Sequence, residues 1–183
     1  MKFDVYFVDA FTSEIFSGNP AAVIFSDLDD EVLMQKIAAE NNLSETAFVD
    51  LSNNNIRWFS PACEVNLCGH ATLASAFIYF NYFDTTNNES IVFNSASGEL
   101  KVYKKDEYLE LDFPKDTFKQ VDMIEMVESA TGAKPLETYL GDINLFAVYE
   151  NEEIISNINP DYSAVTKLEG QGLIISSSSN QYD

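Results

Sequence analysis

The stretch Asn66-Leu67-Cys68-Gly69-His70-Ala71-Thr72 gathers a thiol, a glycine and the only histidine of a 183-residue chain at one point. It opens an uncharged run from Ala71 to Phe83, whose composition predicts a three-turn helix buried on most sides. The first turn of such a helix has N–H groups without intrahelical acceptors and carries the positive end of the macrodipole. An anion can be held there without any cationic side chain. In that position the Cys68 thiol is expected to lean toward thiolate, below the ~8.5 of a free cysteine. A small buried apolar role is the alternative for the same residue. Gly69 would let a ligand approach the backbone closely, and His70 could donate to a substrate carboxylate or orient a second group.

Two further chemistries fit these residues less well. A Cys68–His70 nucleophile pair lacks an assignable third residue to orient the imidazole, and side chains two apart on a first turn point in different directions. Zinc held by Cys63, Glu64, Cys68 and His70 would need an open loop, and this spacing matches no common structural site, so no metal is expected. Upstream, Glu45 enters the apolar strand pattern Thr46-Ala47-Phe48-Val49. Partial desolvation there would raise its pKa toward the range of a general acid/base, whereas a strand-end glutamate can also simply cap a turn or face water. Phosphate-loop and dinucleotide glycine patterns are absent.

These residues must be positioned by a strand-rich frame. Alternation over 2–9 predicts a strand, Gly18-Asn19-Pro20 a turn, and Ala21 to Phe25 a second strand. Asp27, Asp29 and Asp30 offer N-caps for a helix to about Asn41, with Val32, Leu33, Ile37 and Ala38 as its inner face. Strands are expected at 46–50 and 55–60, then the helix at 71–82, then strands at 90–94, 98–104 and 107–113 up to Pro114. Polar residues from Lys115 to Gln120 suggest a boundary, giving lobes 1–115 and 116–183. Beyond it lie a helix ending at Gly132, strands near 136–140 and 144–149, a short helix near 161–168 and a strand at 172–177. The class is α+β with mainly antiparallel sheets.

Composition bounds the partners. A 46% hydrophobic chain can bury a core despite a net charge of −20. Ten basic residues, Arg57 being the only arginine, cannot track phosphates, so nucleic acid is a poor partner. Anionic membrane surfaces are repelled, and no apolar stretch of about 18 residues is present to span a bilayer. Met1-Lys2-Phe3-Asp4 runs straight into a strand pattern, so no secretion signal is expected. Two cysteines are too few for a disulfide framework, which points to reduced thiols in the cytoplasm.

A weak repeat appears as well. Ser26 to Asp50 reads acidic loop, helix, polar break, strand, and Asn157 to Ser179 repeats that order. The first copy leads on to Arg57-Trp58-Phe59-Ser60-Pro61 and the Cys68-Gly69-His70 helix. No counterpart follows the second, so the second lobe is expected to be incomplete.

Three segments together resemble the PhzF family of phenazine-biosynthesis-like proteins. They are Asp9-Ala10-Phe11 with Gly18-Asn19-Pro20-Ala21-Ala22-Val23, then Asn42-Leu43-Ser44-Glu45-Thr46, then Phe59-Ser60-Pro61 with Glu64-Val65 and Leu67-Cys68-Gly69-His70-Ala71-Thr72. The resemblance implies a diaminopimelate-epimerase-like fold of two similar lobes, each a sheet around a central helix, with the active site in the cleft between them. It further implies an isomerase that moves a proton between carbons of a small anionic substrate, needs neither metal nor organic cofactor, and is often a homodimer. It places the acid/base on Glu45 and substrate contacts on Asn19, Ser44, Gly69 and His70. Diaminopimelate epimerases, more distantly similar, use a thiol at the position of Cys68. After a segment like Asn180-Gln181-Tyr182-Asp183, family members continue into a strand and a helix start that supply the other half of the site. A non-catalytic dimeric remnant and a Cys68 thiol hydrolase are the rival expectations.

Overall fold

The computed structural model describes residues 2–14 and 16–180. Contacts divide the chain into two compact units that meet at the Pro114–Lys115 junction. In the first, β1 (Val5–Ala10) and β2 (Asn19–Phe25) form an antiparallel hairpin. A Cβ on Gly18 would collide with the Ala10 carbonyl, so only glycine lets the chain enter β2 this closely. The helix α1 (Glu31–Asn41) then crosses to β3 (Glu45–Asp50), which runs parallel to β2 with Ala21 opposite Glu45. Next come β4 (Asn55–Phe59) and the short β5 (Glu64–Val65), followed by α2 (Gly69–Ile78), which continues as a π-helical turn over Tyr79–Phe83. An antiparallel meander of β6 (Ser90–Ser95), β7 (Gly98–Lys104) and β8 (Leu109–Asp112) completes the unit.

The strand order is β1-β2-β3-β4-β6-β7-β8, with β5 beside β4. The two halves of this sheet meet at the parallel pair Asn55–Asn94. Asn94 secures the join by donating its backbone N–H to the Asn54 carbonyl at 2.8 Å and its side-chain amide to the Asn53 carbonyl at 2.7 Å. Because α2 packs against β1, β2 and β3 and also against β8, the sheet curls around it. Small residues make that fit possible, with Ala71, Ala74 and Ala76 all buried. The Thr72 and Ser75 hydroxyls, buried too, donate back to the Cys68 and Ala71 carbonyls at 2.6 and 2.7 Å.

The other face of the β2–β3 pair is covered by α1. Asp30 caps this helix by accepting from the Leu33 N–H at 3.1 Å. Met34 and Ala38, one turn apart, pack on Ile24, Phe48 and Phe59. The expected inner face was off by its first member: Val32 is 64% exposed, while Met34 is buried. Val32 stands two positions from Met34, about 200° around the helix, and so points away from the sheet.

The second unit contains β9 (Lys119–Val121), α3 (Ile124–Thr131), β10 (Glu137–Leu140), β11 (Leu145–Tyr149), α4 (Glu152–Asn157), α5 (Tyr162–Val165) and β12 (Leu173–Ser177). Its sheet order is β12-β11-β10-β9. The hairpin β10–β11 is antiparallel, and the chain then crosses through α4 and α5 to β12, parallel to β11. This is the order hairpin, helical crossing, parallel strand seen at β1–β2–α1–β3. Val127, Leu145, Ala147 and Tyr149 form its core, and the Tyr149 hydroxyl shares a 2.9 Å hydrogen bond with Thr131. Gly132 ends α3 in the left-handed conformation, with φ 77°. Residues 181–183, which the resemblance placed at the end of the match, lie outside the described residues.

Candidate active site

Three candidate side chains converge at the start of α2. Glu45 is the first residue of β3, Cys68 is the N-cap of α2 and His70 sits in its first turn. One ligand-capable atom from each lies within 4.8 Å of the others. The imidazole stands in the middle, with Nδ1 3.4 Å from the Cys68 sulfur and Nε2 3.5 Å from the Glu45 carboxylate. The His70 side chain is 9% exposed and the Glu45 side chain 21%, so the carboxylate is the outer member of the group. Nε2 of His70 is buried without a hydrogen-bond partner among the described residues.

The electrostatics follow from burial. His70 is held below its ordinary pKa by desolvation, against the opposing pull of the Glu45 charge and the Pro20 carbonyl. At neutral pH the Glu45–His70 contact is therefore a carboxylate facing a neutral imidazole rather than an ion pair. Cys68 departs from the expectation set by its place at a helix N-terminus. Burial is the largest influence and outweighs the opposing hydrogen bond from the Ala71 N–H; with the charge and hydrogen bond of Glu45 added, the thiol is pushed up to about 12. The dipole of one helix end does not compensate a sulfur taken out of water beside a carboxylate. A thiol held protonated in this way is a poor nucleophile near neutral pH, which counts against a thiol hydrolase.

The first intrahelical bond of α2 runs from the Thr72 N–H to the Cys68 carbonyl at 3.2 Å, so the N–H groups of Gly69, His70 and Ala71 have no acceptor within the helix. A Cβ on Gly69 would meet only the Phe113 ring, at an ordinary 3.6 Å, so nothing inside this unit forbids a side chain there. Asn19 begins β2, half-buried, and Pro20 beside it turns its carbonyl toward His70. Ser44 is exposed in the turn before Glu45. Cys63 and Glu64, the other two residues of the zinc spacing, stand outside this group. Glu64 accepts from Arg57 at 2.6 and 2.7 Å, and Cys63 is exposed in a turn whose N–H bonds the Ser60 hydroxyl at 3.0 Å. Arg57, which also reaches Glu31 at 3.2 Å, is occupied in fastening β4 to β5 and α1. Two surface cavities among the described residues, of about 360 and 220 Å³, are lined by residues other than Glu45, Cys68 and His70.

The family model of phenazine biosynthesis-like proteins matches residues 8–182. The chain belongs to the PhzF family. An uncharacterized isomerase of Pseudomonas aeruginosa is 43% identical across the whole chain, which spans 71% of that relative's length. A PhzF-family phenazine biosynthesis protein of Enterococcus faecalis superposes with a TM-score of 0.89 at 46% identity, over 98% of this chain and 70% of that one. A predicted epimerase of P. aeruginosa shares the fold alone, with a TM-score of 0.71 at 19% identity over 95% of this chain and 70% of the other. The α+β, epimerase-like architecture expected for a PhzF-family chain is the one present. Among the described residues no helix is long and apolar enough to cross a membrane.

Proposed function

We propose that this chain is an isomerase of the epimerase type, in which Glu45 carries a proton between carbons of a small carboxylate-bearing substrate. The observation that carries this reading is the partly exposed Glu45 carboxylate set against a buried, neutral His70 at the open N-terminus of α2. The substrate's anion would lie on the N–H groups of Gly69 and His70, where the helix end supplies positive potential. Glu45 would then take a proton from a carbon next to the activated centre and return it to another position or to the opposite face. A general base of this kind contributes roughly 10²–10⁴ in rate, leaving the remainder to charge stabilisation.

His70 and Cys68 act in support. A protonated thiol donates to Nδ1, which leaves the ring proton on Nε2, directed at Glu45 or at a substrate oxygen. Asn19 and Ser44 would border the substrate from the starts of β2 and β3. No step calls for a metal or an organic cofactor. The test is solvent exchange: 2-amino, 2-hydroxy and unsaturated carboxylic acids are incubated with the protein in D₂O and followed by NMR. Deuterium entering at carbon in at least one carboxylate, but not in the corresponding amide, supports the reading. Exchange that ignores the carboxylate would contradict the assigned anion contact.

A further inference from the structure

We propose that Glu45, Cys68 and His70 also form a binding site for a borderline-soft divalent cation of the zinc class, and that an occupied site is a closed one. The binding claim rests on geometry alone. Its inhibitory consequence rests on the reading of Glu45 as the base.

The donor set is one carboxylate oxygen, one thiol sulfur and one imidazole nitrogen, the mixture that zinc accepts and that magnesium or calcium does not. Zinc bonds of about 2.0–2.3 Å place tetrahedral donors roughly 3.3–3.8 Å apart. The sulfur stands 3.4 Å from Nδ1, the spacing of two donors on one zinc, while Glu45 lies 3.5 Å from the other ring nitrogen; one donor atom from each residue falls within 4.8 Å of the other two. About 1 Å of closing movement remains, and Glu45, the most exposed of the three, is the arm able to make it. Buried polar atoms in native proteins are nearly always partnered, yet Nε2 of His70 is not. It faces the Glu45 carboxylate at 3.5 Å without a hydrogen bond, so the contact is loose enough for Glu45 to swing onto a metal.

The neutral imidazole needs no deprotonation to ligate. On binding, the thiol proton passes to solvent as sulfur takes the metal, so two negative charges meet the dication where one carboxylate stood before. Three protein ligands leave a fourth position open. With the metal in place the Glu45 lone pairs are engaged, and the carboxylate no longer accepts a proton from carbon.

The test uses the Cys63→Ser protein, which leaves Cys68 as the sole thiol, titrated with cadmium chloride and followed by the ultraviolet thiolate-to-metal charge-transfer band. A saturable 1:1 band, reversed by EDTA, is expected. Glu45→Gln and His70→Gln in that background should each weaken binding by at least the 10–100-fold seen when a supporting partner of a metal ligand is lost. No band at excess metal, or a band whose midpoint neither substitution moves, overturns the site and leaves the isomerase reading intact. If instead cadmium binds through all three residues while solvent exchange proceeds at full rate, the site stands and the assignment of Glu45 as base falls.

Discussion

The strand pairs β2–β3 and β11–β12 are made by the same moves: an antiparallel hairpin, a helical crossing, and a strand laid parallel to the second of the hairpin. Their surroundings differ. In the first unit, Ile24 and Phe48 face α1 while Val23, Ala47 and Val49 pack in the cluster around α2, and every one of them is buried. In the second, Leu145, Ala147, Leu173 and Ile175 pack on one side, with Tyr149 among them. The alternate face shows Ile174 46% exposed, with Phe146 and Val148 half-buried. A pair sealed on both sides fixes its strand ends, and Glu45 is such an end. It also pins the start of α2, where Cys68 and His70 stand. The proposed chemistry falls in the unit whose strand ends are held from two sides, as pre-organised catalytic groups require.

That contrast is open to attack, first through reactivity. A thiol moved from an ordinary 9.0 to about 12 has roughly a thousandfold less thiolate near neutral pH. Iodoacetamide with mass-spectrometric readout should modify the exposed Cys63 long before Cys68, and equal rates would mean that the buried site is as wet as the surface. Stability is the next lever. Phe93→Ala, in the cluster around α2, should cost about 3–5 kcal/mol, whereas Ile174→Ala should stay within about 0.5 kcal/mol. Urea denaturation measures both, with the only tryptophan, Trp58, reporting on the first unit and far-UV circular dichroism on the whole. Similar losses at the two positions would erase the distinction between sealed and half-covered pairs.

The smallest expected effect concerns acid. His70 is held below its ordinary value of 6.5, so the unfolded chain takes up a proton at a pH where the fold still refuses one. Its contribution is present above about 6.5 and is lost as the pH falls below that value. The Trp58-monitored midpoint should therefore drop less steeply between pH 7 and 5 in His70→Gln than in the unchanged protein. A slope identical in the two would mean that His70 is not desolvated.

Much of the frame was legible because it rests on local signals. Alternating apolar residues located the strands, Asp30 and Gly132 marked helix ends, and the uncharged run after Cys68 announced a buried helix. The elements that escaped were short or polar: α4, held by its Asn151 cap, and the strands β5 and β9, which exist only by virtue of pairing with β4 and β10. The half-burial of Glu45 was readable from its entry into an apolar strand, but its meeting with His70 depends on the parallel pairing of β2 and β3, which has no local signature. The two readings of the thiol could not be separated in the sequence, for a physical reason. Sequence displays the helix dipole at Cys68 and hides the burial that outweighs it.

The central claim, that Glu45 is the proton carrier, is tested most directly by Glu45→Gln, which keeps shape and removes basicity. With a carboxylate that exchanges in D₂O, the substituted protein should incorporate deuterium about 10²–10⁴-fold more slowly while its fold, followed by Trp58 fluorescence, is unchanged. Exchange at an undiminished rate in a folded Glu45→Gln protein would contradict the account.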